Sequence, residues 1–247
     1  MSILSRQRTE NRGHPYVIAH RGNRALHPEN TLTAFRRALE DGADIVETDI
    51  RVTRDQAFVC IHDATLDRTT SGSGKVARLT LAEIRQHTAS GGGGGDERVP
   101  TLEEFVVGLP DPVVLALELK SVEFRSASVC KRLVDELERL NVLGRVMMLS
   151  SRRSSLKMFR TVAPEIPLGL VAWLVPWPVR GVDLLGPLWP ILFVNPWYVR
   201  WAHARGQLVC PLDPAPDRRL RWYHALRCDA VLSDDPGKTR DHLLSIV

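Results

Sequence analysis

VVLALELKSVEFRSASVCKRLVDELERLNVLGRVMMLSS (113–151) is the stretch that decides the fold. VVLALELK (113–120) is an apolar run of strand length, 126–140 has its apolar residues at helical spacing and ends before Gly144, and RVMMLSS (145–151) is a second strand. Two strands separated by a helix read as a parallel βαβ unit. Downstream the rhythm continues. PLGLVA (167–172), ILFVNP (191–196), QLVCPL (207–212) and DAVLSDDP (229–236) read as strands, with helices over 152–162, 197–204 and 216–227 and a terminal helix after the last strand. Upstream, YVIAH (16–20) and ADIVETDI (43–50) flank a helix that Asn30 or Thr31 can cap and Gly42 stops.

This gives eight strands alternating with helices. The pattern predicts an α/β fold, a (β/α)8 TIM barrel, over a single domain spanning 14–247 with an N-terminal tail at 1–13. An open doubly wound sheet is the alternative, but neither G-x-G-x-x-G nor G-x-x-x-x-G-K-[ST] is present. AFVCI (57–61) also looks like a strand. It follows ADIVETDI too closely for a parallel crossover, so it is expected to be a hairpin arm above the barrel mouth. Residues 64–112 then form a small insertion after the second strand, with short helices in LTLAEIRQH and PTLEEFVVGL and a flexible SGGGGGDER loop.

Composition narrows the function. With 247 residues, 44% hydrophobic and 25% charged, the chain can bury a core without staples. The net charge of +4 is spread out, and no block of five like charges suggests a nucleic-acid partner; a mild positive field favours an anionic substrate. Cys60, Cys130, Cys210 and Cys228 have neither C-x-x-C nor zinc spacing, and the N-terminus lacks a secretory apolar core, so a reducing, cytoplasmic setting is expected. The apolar region 166–199 is broken by prolines and charges and should not span a membrane.

The chemistry sits where polar residues interrupt strands. Active sites of such barrels lie at the C-terminal ends of the strands. There YVIAH ends in His20-Arg21, IVETDI carries Glu47 and Asp49, LALELK carries Glu118 and Lys120, the hairpin arm ends in His62-Asp63, and the last strand ends in Ser233-Asp234-Asp235. Residues two apart on a strand point to one side, so Glu47 pairs with Asp49 and Glu118 with Lys120. Three carboxylates from two strands suit one hard divalent ion, Mg2+ or Ca2+; a structural ion network with Arg21, Arg51 and Lys120 is the competing reading. His20 and His62 alone would be ordinary hydrogen-bonded histidines. Beside a carboxylate cluster they can divide base and acid duties, with Arg21 and Lys120 holding a phosphate. No G-x-S-x-G elbow points to acyl transfer.

Several segments together resemble the glycerophosphodiester phosphodiesterase family: AHRGNRALHPENTLTAFRRALEDGADIVETDIRVTRD, VCIHDATLDRTTSGSG, VPTLEEF, LELK and DAVLSDDP, spread over most of 16–240. The resemblance implies that His20 and His62 are the acid/base pair, that Glu47, Asp49 and Glu118 are metal ligands, and that Arg21 and Lys120 contact phosphate. The implied activity is metal-dependent hydrolysis of glycerophosphodiesters to glycerol 3-phosphate and an alcohol, through a cyclic phosphate or by direct attack of water. The family's W-T-V-N-like segment is here Cys210-Pro211-Leu212-Asp213, and its S-F pair is Ser150-Ser151, changes that bear on substrate fit. Trp173, Trp177, Trp189, Trp197 and Trp201 motivate an alternative, a lysophospholipase D acting on lysophospholipids, and leave peripheral membrane contact open. A non-catalytic binding barrel is the reading from another class, and oligomeric state is not legible.

Overall fold

The structure, a computed structural model, describes residues 13–89 and 97–246. Residues 1–12 of the expected tail and most of the SGGGGGDER loop lie outside the described residues. The barrel strands are β1 (Tyr16–Ala19), β2 (Ile45–Val52), β4 (Val114–Leu119), β5 (Val146–Ser150), β6 (Leu168–Ala172), β7 (Leu184–Pro187), β8 (Leu208–Val209) and β9 (Ala230–Ser233), and β3 (Phe58–Cys60) stands apart. The eight are parallel and run β8-β7-β6-β5-β4-β2-β1-β9, while β3 pairs antiparallel with β2, Ile50 opposite Cys60. The circle is nearly closed: the Asp229 N–H donates to the Val209 carbonyl at 2.9 Å and the Asp234 N–H to the Pro214 carbonyl at 2.7 Å. This is the (β/α)8 barrel that the alternation predicts, and β3 is a hairpin arm on its second strand.

The period-2 alternation of each strand sorts its residues between two cores. Val17, Val46, Leu115, Leu117 and Met148 face outward, into the large cluster under the helices. Ile18, Ile45, Ala116, Met147, Leu149 and Ala230 form a second, smaller cluster, the barrel lumen. Continuing the lumen parity toward the mouth gives His20 on β1, Glu47 and Asp49 on β2, Glu118 and Lys120 on β4 and Asp234 after β9. The candidate site is therefore the uppermost layer of the barrel's own interior.

The surrounding helices are α1 (Leu32–Glu40), α2 (Leu81–Ile84), α3 (Leu102–Val107), α4 (Ala127–Arg139), α5 (Arg153–Val162), α6 (Pro190–Val194), α7 (Tyr198–His203), α8 (Leu220–Ala225) and α9 (Pro236–Ile246). Of the two capping candidates for α1, Thr31 takes the role, accepting from the Ala34 N–H; Asn30 sits one residue earlier at φ 57° and is free for other duty. Gly22, at φ 79°, lets the turn after β1 lie against α1, where a Cβ would meet the Ala34 carbonyl carbon at 2.6 Å. In the excursion after β3, capping boxes open both short helices, Thr80 with Glu83 and Thr101 with Glu104. Val59, Ile61, Leu66, Val76, Ile84 and Val99 give it a small core of its own.

One element differs from expectation. ILFVNP is not a strand: Pro190–Val194 is the short helix α6, and the strand is formed by Leu184–Pro187. Pro190 sits in the first helical turn, where its missing N–H costs nothing. The strand carries Gly186 and Pro187, residues that normally argue against one, yet all four of its residues are buried. The β-branched run nearby outweighed that short signal.

Candidate active site

Glu47, Asp49 and Glu118 converge. One oxygen of each lies within 4.8 Å of the others, and all three side chains are buried. Their convergence follows from register. β2 and β4 pair in parallel with Asp49 opposite Glu118 and Glu47 opposite Ala116, so the acids share one lumen corner.

Two cations face them. Lys120 Nζ lies 2.7 Å from Glu118 Oε1 and 3.2 Å from Asp49 Oδ1, and Arg21 Nε lies 3.1 Å from Asp49 Oδ2. Arg21 adopts φ 59°, a left-handed conformation that turns its backbone N–H onto Glu47 Oε2 at 2.9 Å, and its guanidinium also donates to Glu29 Oε1 at 2.9 Å. Asp49 is further held by Asn30, whose Nδ2 donates to Oδ2 at 2.9 Å while its Oδ1 accepts from the Thr48 hydroxyl at 2.7 Å and the Asp49 N–H at 3.2 Å.

The charge balance is unequal. Burial opposes ionisation of Asp49, but Lys120, Arg21, His62 and the Asn30 hydrogen bond outweigh it and hold its carboxyl below the usual range. Glu47 is pushed well above the usual carboxylate range, first by burial and then by Asp49 and Glu118. Among the described residues its Oε1 has no hydrogen-bond partner, and Asp49 Oδ1 and Glu118 Oε1 meet Lys120 only as ion pairs without aligned hydrogen bonds. Three buried oxygens short of donors leave acceptor capacity beyond the ion pairs with Arg21 and Lys120. Glu47, Asp49 and Glu118 could hold a metal ion.

The two histidines are placed by a common device. His20 Nδ1 pairs with Asp234 Oδ1 at 2.7 Å, and His62 Nδ1 pairs with Asp63 Oδ1 at 2.7 Å. Each carboxylate fixes the ring and leaves Nε2 as the nitrogen available for proton transfer. Among the described residues neither ring hydrogen-bonds to the carboxylate trio. Arg51 holds the His62 carbonyl through Nε at 2.8 Å and Nη2 at 2.6 Å. Burial lowers the pKa of His62, with Asp49 opposing and Lys120 and Arg21 adding to the fall. Arg68 links Asp63 to Glu29, at 2.7 Å from each, and Glu29 in turn holds Arg21. A continuous chain of charge thus connects the hairpin arm to Arg21.

Sequence reasoning singled out seven residues: His20, Arg21, Glu47, Asp49, His62, Glu118 and Lys120. The structure brings the five charged ones together and sets His20 just after β1 and His62 just after the antiparallel arm β3. Asn30 and Glu29 were missed, and Asp63 and Asp234 were noticed only as strand-end acids. The N of HPEN reads as a helix cap; the E-N pair between a strand end and a cap is the signal that could have marked both residues.

Comparison with known proteins bears on this geometry. Residues 20–238 match the model of the glycerophosphoryl diester phosphodiesterase family. A glycerophosphodiester phosphodiesterase of Caldanaerobacter subterraneus subsp. tengcongensis is 34% identical over 228 residues, covering 89% of this chain and 94% of that protein. A second, from Bacillus altitudinis, is 28% identical over 236 residues, covering 90% and 95%. A solved structure of a phosphodiesterase from Oleispira antarctica in complex with the product sn-glycerol-3-phosphate superposes with a TM-score of 0.79 at 26% identity, over 93% of this chain and 96% of that one.

Proposed function

This chain belongs to the glycerophosphoryl diester phosphodiesterase family and is a hydrolase of glycerophosphodiesters, and we propose that it works through His20 and His62 as proton carriers at a divalent-metal site of Glu47, Asp49 and Glu118. The observation that carries this reading is the trio of buried carboxylate oxygens within 4.8 Å, one of them without any partner among the described residues, in the barrel layer that also holds His20 and beside the hairpin arm that carries His62. In this reading residues 14–247 act as one barrel domain, and the excursion at 64–112 supplies Arg68, which braces the Asp63 that pairs with His62.

Arg21 and Lys120 bind the substrate phosphate, the first as a planar fork and the second as a point charge. Both are already oriented by the acids beneath them, so little side-chain freedom is lost on binding. One histidine removes the proton from the attacking oxygen, and the other delivers a proton to the departing alcohol at Nε2. The attacking oxygen is the glycerol 2-hydroxyl, giving a cyclic phosphate that water then opens, or it is water itself. Direct attack by water forms one P–O bond as the bond to the alcohol breaks; the cyclic route makes this exchange twice, the glycerol 2-oxygen displacing the alcohol and water then displacing the 2-oxygen, with glycerol 3-phosphate and the alcohol as products of either. A divalent ion, Mg2+ or Ca2+, supplies Lewis acidity and charge neutralisation when bound.

Cys60, Cys130, Cys210 and Cys228 are free and buried, which fits the cytoplasmic setting proposed here, and no helix among the described residues is long and apolar enough to cross a membrane. The test is a metal-dependence assay. Chelated enzyme should be inactive on glycerophosphocholine, and added Mg2+, Ca2+ or Mn2+ should restore turnover. Phosphorus NMR separates cyclic from open product, and lysophosphatidylcholine measured in parallel shows whether an acyl chain is accepted. Full turnover by chelated enzyme overturns the metal site.

A further inference from the structure

All six tryptophans of the chain fall within residues 173–222. A barrel normally spends most such rings on its core, yet Trp173 is 63% exposed, Trp177 56% and Trp197 52%. Between them stand Leu174 and Val194, each 84% exposed, and Phe193 at 59%. These residues are one neighbourhood. Trp177 stacks on Trp201 at 5.1 Å, and Asn195 Nδ2 donates to the Pro176 carbonyl at 2.8 Å, tying the segment after β6 to the segment after β7. Phe193 stacks on Trp222 at 3.9 Å and meets Trp189 edge-on at 5.8 Å.

The placement is informative. Trp173 and Leu174 directly follow β6, and Phe193, Val194 and Trp197 lie on the connection that follows β7. Those connections leave the barrel at its C-terminal end, the same end as His20, Glu47, Asp49 and Glu118. The apolar surface therefore rims the half of the mouth opposite the metal corner.

The charge pattern says what covers it. Residues 173–227 contain seven arginines, no lysine and three aspartates, so this segment alone accounts for the chain's net charge of +4. Arg200 lies over Trp197 at 5.4 Å, and Arg200, Arg218 and Arg221 have no carboxylate partner among the described residues. Exposed tryptophan and leucine bordered by unneutralised arginine match the chemistry of a lipid interface, where rings and chains enter the headgroup zone and guanidinium groups meet anionic lipid. A second copy of this chain would bring the same arginines face to face, which disfavours self-association through this surface.

We propose that Trp173, Leu174, Trp177, Phe193, Val194 and Trp197 seat this protein peripherally on anionic lipid bilayers, with the barrel mouth turned toward the membrane. The proposal stands apart from the hydrolase reading, because none of these residues belongs to the machinery assigned above.

The test uses the full chain and vesicles of phosphatidylcholine with or without phosphatidylglycerol. Intrinsic fluorescence is a direct probe, since every tryptophan is in the segment concerned. Binding to the mixed vesicles should shift emission to the blue and carry the protein into the vesicle pellet, with weaker binding to phosphatidylcholine alone and at high salt. Leu174→Ser with Val194→Ser should reduce partitioning by at least about tenfold, and these side chains are so exposed that the fold is not at stake. Arg200→Gln should reduce it by about fivefold at low salt. The double variant should hydrolyse glycerophosphocholine in free solution at the wild-type rate. No partitioning of wild type, or equal partitioning of the double variant, overturns the proposal. A wild-type dimer that the double variant dissolves, without vesicle binding, assigns the surface to a second copy instead. Inactive wild type that still binds vesicles overturns the hydrolase reading and leaves this one standing.

Discussion

The Glu47→Gln substitution should reverse sign with metal. In the metal-free protein three buried carboxyls face two cations, Arg21 and Lys120, and burial with the two neighbouring acids holds Glu47 well above the usual carboxylate range. At separations near 4.8 Å each like-charge pair costs about 3–4 kcal/mol at an effective dielectric of about 20. The glutamine side chain would keep the shape, and its carbonyl could still accept from the Arg21 N–H, the one hydrogen bond that Glu47 makes. It would lose only the ionisable oxygen, Oε1, that has no partner among the described residues. The metal-free variant should therefore melt no lower than the metal-free wild type. With divalent ion at about a hundredfold over its Kd, wild type should gain about 2.7 kcal/mol, which is about 5–10 °C for a chain of this size. The variant should gain almost nothing. Differential scanning calorimetry with chelator and with Mg2+ or Ca2+ reads all four conditions. An equal metal-induced shift in both proteins would refute the ligand role of Glu47, and a metal-free variant destabilised by more than about 3 kcal/mol would refute the reading of Glu47 as the acid whose ionisation the metal-free site opposes.

Three other outcomes follow from the same geometry. His20→Ala and His62→Ala should each lower turnover by about 10²-fold or more with unchanged circular dichroism; wild-type turnover in both would remove the rings from the reaction. Asp63→Asn should move one limb of the pH–rate profile to lower pH. Asp63 raises the pKa of His62 against the lowering by burial, so removing its charge leaves the protonated ring less stable, and the ring gives up its proton at lower pH whichever role it plays. A profile superimposable on wild type counts against His62 as a titrating group in catalysis. Asn30→Ala removes three hydrogen bonds around Asp49 and should weaken divalent-ion affinity by about 10–100-fold in a calorimetric titration, whereas unchanged affinity would make Asn30 a purely structural residue.

What the sequence disclosed, and what it withheld, follows from how far apart the cause and the effect lie along the chain. Glu47 and Asp49 were legible because an acid in a buried parallel strand contradicts its surroundings, and because a spacing of two fixes both on one face without any knowledge of the partner strand. Glu118 and Lys120 announced themselves in the same way. The strand at Leu184–Pro187 was not legible, since four residues ending in Gly-Pro give no alternation to count, and the barrel rather than local propensity holds them there. Asn30 was hidden by chemistry: an amide just before a helix is expected to cap it, and only the structure shows Thr31 taking that task while Asn30 turns at positive φ toward Asp49. The support of His20 was hidden by topology. Asp234 reaches His20 because β9 pairs with β1 with Ser233 beside Ala19, a contact across more than two hundred residues that exists only once the last strand joins the first. The site is thus assembled on the strands β9, β1, β2 and β4, where the two ends of the chain meet. Truncating the C-terminal strand should therefore cost His20 its orientation as well as costing the barrel its closure, while the acid trio on β2 and β4 takes its hydrogen bonds and ion pairs from Arg21, Asn30 and Lys120 and none from β9.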